Sequence, residues 1–199
     1  MIKIILSSFI VSLLCTPFGI YFHKGRDLKS YSLQLIYGLI LISFFALCLH
    51  FFLPLNKMVN SFLIPFCFII IYIYRDFYIK KNFFIFCLFS SLIIFLLITN
   101  SNVYRPDAGL YHLPYINMLN EEKIIIGNAN LHFRFGHISI IQYTSAIMNN
   151  ILFDVNGIVF AGALIASAII INFVTNIVSY IKKKRLNFHF FFLLSIFIF

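Results

Sequence analysis

The sequence predicts an all-α, polytopic membrane protein with about five complete transmembrane helices, the start of a sixth, and one outward loop that carries juxtamembrane amphipathic helices. Three observations predict it. The chain is 62% hydrophobic and 19% aromatic against 11% charged, whereas a soluble domain of ordinary composition is about half apolar and a quarter charged. The apolar residues gather into uncharged runs near the ~20 residues that carry a helix across hydrocarbon. The 15 Lys and Arg residues fall in short clusters between those runs, as topology determinants do. A net charge of +9 distributed in this way does not line one groove-facing surface, and no nucleic-acid partner is expected.

The first run covers residues 4–22. Lys3 followed by apolar residues also describes a secretory signal, but no small-x-small cleavage site follows and bulky Leu14 precedes Cys15, so an uncleaved span is expected. Further runs cover 31–53, 58–74, 82–99 and 155–181. The third and fourth are short, and their linker, 75–81, holds basic stems and rings that can snorkel or anchor at an interface. Pro65 in the third run is tolerable as a kink, because neighbouring groups in a membrane bundle re-satisfy the freed carbonyl. The fifth run carries small residues at helical spacing, Gly157, Ala161, Gly162, Ala163, Ala166 and Ser167, which read as a close-packing face. A sixth run opens at Phe188 and is cut at Phe199, so the sequence reads as a fragment of a longer protein. Cys15, Cys48, Cys67 and Cys87 all lie inside apolar runs and read as small hydrophobes rather than disulfides or ligands.

Orientation follows from the basic residues. Lys24, Arg26 and Lys29, then Arg75, Lys80 and Lys81, then Lys182, Lys183, Lys184 and Arg185 occupy alternate loops, leaving only Lys3, Lys57, Arg105, Lys123 and Arg134 on the other side. The richer side is expected to be cytoplasmic. The chain then divides into N-terminal transmembrane helices (1–99), an outward loop (100–154), and a segment of span, basic loop and truncated helix (155–199). In a bacterial inner membrane the outward loop faces the periplasm.

Chemistry is expected in that loop. Asp107, between Arg105 and His112 at a membrane exit, is placed to meet a substrate whose tail stays in lipid. Tyr111 lies one helical turn on from it, and Pro114 either kinks the following helix or marks its first turn. Asp107 reads equally as a helix cap. Downstream, Gly127 and Gly136 bracket a stretch in which His132 and Arg134, with His137 just beyond, can clamp a phosphate. No HExxH-type pair accompanies Asp107 and the histidines, so no metal ligand is assigned. Between 138 and 153 the polar residues Ser139, Gln142, Ser145 and Asn149 recur at helical spacing, which predicts an amphipathic helix along the outer membrane surface, before Asp154 or Asn156 caps the next span.

A span, an outward loop with an early aspartate, interfacial helices and a second span with a basic loop resemble the N-terminal part of GT-C membrane glycosyltransferases. The stretches Asp107-Ala-Gly-Leu-Tyr-His-Leu113 and Gly127-Asn-Ala-Asn-Leu-His-Phe-Arg-Phe-Gly136 are similar to signatures of bacterial multi-span proteins associated with surface polysaccharides. The likeness covers about residues 100–185. It implies transfer of sugar from a polyprenyl-phosphate-linked donor to a glycan or lipid acceptor. Asp107 would be the catalytic base or help to hold a divalent cation, with Tyr111, His112, His132 and Arg134 as substrate contacts. Ala108, Pro114 and Phe133 depart from the pattern. Alternatives are an O-antigen polymerase or ligase, whose outward loops are arginine-rich, and a non-catalytic transporter or flippase component. The spans are nearly free of ionisable groups, with His50 close to one end, which disfavours the transporter.

Overall fold

The computed structural model describes residues 1–100, 108–130, 133–136 and 139–182. Every regular element among them is helical, and four helices are long and apolar enough to cross a bilayer, which marks a membrane protein: Ile2–Tyr21, Leu28–His50, Lys81–Thr99 and Asp154–Lys182. The expected sixth span lies outside the described residues.

Helix α1 (Ile2–Cys15) tightens into a 3-10 stretch (Thr16–Tyr21) where Pro17 has no N–H to continue the ladder. Helix α2 (Leu28–His50) starts at Asp27, whose carboxylate accepts the Ser30 N–H at 3.2 Å. The third apolar run is shorter than the others, Lys57–Ile73, and is broken into α3 (Lys57–Ser61) and α4 (Leu63–Ile73). Pro65 explains the break, because the Ser61 carbonyl four residues earlier loses its donor. A single turn, α5 (Arg75–Tyr78), leads to α6 (Lys81–Thr99), and α9 (Phe160–Lys182) closes the bundle after a 3-10 entry, Asp154–Val159.

Small and hydroxylated side chains set the helix spacing. Ser90 of α6 hydrogen-bonds Ser12 of α1 at 3.0 Å and Ser167 of α9 at 2.9 Å, a buried three-helix contact of the kind worth about 0.6 kcal/mol per bond. Of the small residues in the fifth run, Ala161 and Ser167 are buried as expected, whereas Gly162 faces open space. Closer still is the α1–α2 contact, where a β-carbon on Gly38 would lie 2.3 Å from the Cys15 carbonyl oxygen and one on Gly19 would lie 1.8 Å from that of Gln34. Only glycine permits this approach. Phe84, Leu88, Phe89 and Leu92 of α6 stay exposed, as lipid-facing side chains do.

In the linker that can anchor at an interface, Arg75, Lys80 and Lys81 stay exposed while one ring turns inward. Tyr78 is buried, donating to Gln34 Oε1 at 3.1 Å and packing on Phe83 at 4.9 Å, while Tyr31 donates to the Phe77 carbonyl at 2.6 Å. A ring surrounded by α2 and α6 hides more apolar area than one left at a surface. Cys15, Cys67 and Cys87 are buried free thiols, and Cys48 is exposed. The bundle thus has two distinct ends: one joins 22–27 to 74–81 through Arg26 stacked on Phe77 and through Asn82 bonded to the Arg26 carbonyl, and the other gathers 50–61 against 113–159.

A Gly38→Ala protein is expected to lose about 1–3 kcal/mol of stability because backbone must separate to admit the methyl, whereas Gly162→Ala, with nothing within 4 Å, should be near neutral. Thermal melting in detergent micelles measures both.

Candidate functional site

The second end of the bundle is assembled by amides. Asn60 of α3, just after the 51–56 connection, spreads its two N–H groups over the carbonyls of Leu55 (2.6 Å), Ala146 (2.9 Å) and Asn149 (2.7 Å). Asn120 reaches the Leu55 and Ala146 carbonyls at 2.6 and 3.1 Å and accepts from Asn149 at 2.9 Å. Leu55 N–H also donates to the Leu119 carbonyl at 2.9 Å. These bonds tie the connection after α2 to helix α7 (Leu113–Glu121) and to helix α8 (Ile140–Ile147). At the margin Lys57 pairs with Asp154 at 2.5 Å, both side chains exposed, so the pair is worth little. Asp154 adopts a positive φ of 53° and accepts the Val155 N–H at 2.8 Å, a local turn device rather than a plain helix cap.

Helix α8 is more enclosed than the surface helix its polar spacing predicts: Gln142, Tyr143, Thr144, Ser145, Ala146 and Ile147 are all buried, and only Ile140 and Ile141 at its start are exposed. Its polar atoms find protein partners: Thr144 hydrogen-bonds Ser43 of α2, and Gln142 completes a capping box with Ser139. Periodicity gives the face; it does not say whether water or a neighbouring helix waits there.

Of the residues expected to act, Asp107, Arg105, His132 and His137 lie outside the described residues, and for Arg134 the backbone alone is described, in a 3-10 turn (Phe133–Gly136). Tyr111 and His112 are brought together in a π-helical turn (Ala108–His112), with rings 4.2 Å apart. Pro114 then marks the first turn of α7. Gln142 Oε1 accepts the Ser139 N–H at 3.0 Å, so its amide nitrogen, 3.4 Å from His112 Nδ1, is the donor. A neutral His112 therefore carries its proton on Nε2.

Behind these residues lies a cavity of about 240 Å³. Gly127, Asn128, Ala129, Phe135 and Gly136, from the two ends of the glycine-bracketed stretch, form part of its wall. Gly127 has a φ of +91°, which its lack of a side chain allows. The remaining wall includes Tyr115, Lys123 and His50. His50 is buried at the end of α2. Its Nε2 lies 2.9 Å from the Glu122 carbonyl and its Nδ1 lies 3.3 Å from the Tyr143 hydroxyl. Burial pushes both Tyr115 and Tyr143 above the ordinary phenol range, and the neighbouring Tyr143 adds to the rise at Tyr115. Sequence reading passed over His50, Tyr115 and Tyr143. The one available signal was an imidazole ending an otherwise uncharged span. Among the described residues no group of three His, Cys, Asp or Glu converges to hold a metal ion.

The whole chain, residues 1–199, matches the family described as Domain of unknown function (DUF8201). The chain belongs to that family. No curated protein and no solved structure matches it. The DUF8201 assignment supplies no activity, so function rests on the residues of this site.

Two outcomes check the site. Asn60→Ala should cost about 1–3 kcal/mol by removing the donor to the Asn149 carbonyl and leaving those of Leu55 and Ala146 to Asn120, and should speed proteolysis within 113–154. In alkaline titration followed by tyrosinate absorbance, Tyr115→Phe and Tyr143→Phe should each remove a late step, because the folded state raises both groups. The stability they lend is complete below about pH 10, the unfolded phenol value, and is lost as pH rises through the folded one. Loss of an early step instead would count against this burial.

Proposed function

We propose that this DUF8201 protein is a membrane glycosyltransferase of GT-C type. In this reading it takes sugar from a polyprenyl-phosphate-linked donor and adds it to a glycan or lipid acceptor during surface-polysaccharide synthesis, with the 100–154 loop on the periplasmic side of a bacterial inner membrane. The observation that carries the reading is the small cavity at the loop end of the bundle, walled in part by the two ends of the Gly127–Gly136 stretch and edged by Lys123. An apolar concavity edged by a cation, at the rim of a lipid-facing bundle, suits a headgroup whose phosphate is anionic and whose tail stays in hydrocarbon. His112, presenting an Nε2–H beside the Tyr111 ring, adds a donor on the same loop. Asp107, next in sequence to that turn, is assigned the acceptor hydroxyl or a divalent cation. Arg105, His132, Arg134 and His137 are assigned to the carrier phosphate. Membrane lipids are the remaining partner.

In membranes holding the full-length protein, Asp107→Asn should lower sugar transfer from a polyprenyl-phosphate-linked donor by about 10²–10⁴-fold without changing the amount of protein in the membrane. Transfer at the wild-type rate would leave Asp107 as a helix cap and remove the enzymatic reading.

A further inference from the structure

Ser90 holds α6 to α1 at Ser12 and to α9 at Ser167. About 10–14 Å farther toward the loop end the same three helices enclose a cleft of about 370 Å³, within the usual ~300–1,000 Å³ of ligand pockets. Its wall takes Lys3 and Ser7 from α1, Ile98 from α6, and Phe153, Asn156 and Phe160 from the entry to α9. It shares no residue with the cavity beside His50. The α9 side of the wall is firmly held. Asn150 Oδ1 accepts the Leu152 and Phe153 N–H groups at 3.0 and 3.3 Å, and a β-carbon on Gly157 would lie 2.0 Å from the Met148 carbonyl oxygen. The buried Phe153 and Phe160 rings meet edge to face at 5.5 Å.

Charge is unevenly matched at this end of the bundle. Of its described lysine side chains, Lys57 is paired with Asp154 and Lys123 edges the other cavity, whereas Lys3 makes no ion pair among the described residues. No Asp or Glu lines the cleft. Lys3 and Ser7, four residues apart, share one face of α1, so an ammonium and a hydroxyl stand on the same wall, and Asn156 adds an amide from the α9 side. The lip is apolar: Ile2 and Leu6 of α1 and Val155 and Val159 of the α9 entry are all exposed. An unmatched cation calls for an anion, and an apolar lip at the end of a membrane bundle calls for a tail.

We propose that this cleft seats the phosphate headgroup of a membrane lipid. Lys3 pairs with the phosphate as a compact point charge, the Ser7 hydroxyl and the Asn156 amide donate to its oxygens, and the lipid chains leave over the apolar lip into hydrocarbon. A free phosphate would leave that lip in water and gain nothing from it, whereas a lipid covers it and gains the burial. Lys3 lies far from residues 100–185 in the sequence, so the site is separate from the stretch that resembles GT-C enzymes, and binding here does not rest on the glycosyltransferase reading.

The test embeds the protein in nanodiscs of digalactosyl diacylglycerol, a neutral lipid without phosphate, doped with phosphatidic acid that carries a photoreactive diazirine close to its headgroup. After illumination, peptide mass mapping should show saturable labelling of the peptides that hold Lys3–Ser7 and Leu152–Phe160. Unlabelled phosphatidic acid should compete, and equimolar inorganic phosphate or diacylglycerol should not. Lys3→Gln should weaken the labelling at least about fivefold, Lys3→Arg should restore it, and Lys24→Gln, an exposed lysine at the opposite end of the bundle, should leave it unchanged. Competition by inorganic phosphate would reduce the cleft to a free-anion site, competition by diacylglycerol to an apolar lip, and labelling indifferent to Lys3→Gln would leave the cation without a role; each overturns the proposal. A Lys3-dependent label on a protein that transfers no sugar keeps the lipid site and removes the glycosyltransferase reading, and Asp107-dependent transfer with no such label does the reverse.

Discussion

Away from water, a buried amide or hydroxyl without a partner costs more than most packing contacts return, and the loop end of this protein is arranged around that constraint. Asn60 and Asn120 both donate to the carbonyls of Leu55 and Ala146, and Asn149 donates to Asn120, so the connection after α2, helix α7 and helix α8 are held in one register. The position of the cavity follows from those bonds. Its floor is the end of α2 at His50, and its lid is the chain after α7, joined to α2 by the His50–Glu122 bond and by the Ile124 N–H on the His50 carbonyl at 3.3 Å. Packing alone would not set this register, since apolar contacts slide where directed hydrogen bonds do not.

The membrane helices were legible because composition alone forces them: runs without charge have one solvent available. Charge clusters likewise marked the turns. What escaped reading is instructive in each case. Helix α8 has the polar spacing of a surface helix, yet its Gln142 and Thr144 face protein, because α2 supplies Ser43 as a partner. Tyr78 belongs to a basic, aromatic linker and still turns inward, because Gln34 of α2 offers an acceptor that no local pattern reveals. His50 looked like the polar end of a span, and its hydrogen-bond partners, the Glu122 carbonyl and the Tyr143 hydroxyl, lie 72 and 93 residues away. The glycine-bracketed stretch was the better guide, since left-handed backbone at Gly127 is a local demand written in one residue.

Family membership and geometry contribute different things here. The DUF8201 match covers the entire chain and says that the bundle and its loop belong to one inherited unit. The geometry divides that unit in two: an aromatic, basic end joined by Tyr31, Phe77 and Tyr78, and an amide-laced end that keeps a concavity. Polar side chains that stabilise one end do so in silence; those at the other surround empty space.

The break at Phe62 also bears on the lipid beside the protein. The segment Lys57–Ile73 rises only about 26 Å even if wholly helical, some Å less than the ~30 Å of an average hydrocarbon slab, and it bears Phe62, Phe66, Phe68 and Ile69 outward. Where that segment crosses a bilayer, acyl chains wetting its flank compress and dimple the leaflet at a modest elastic penalty. The dimple would lie on the side of the bundle from which Asn60 reaches toward the amide knot, lowering the local headgroup plane toward the concavity.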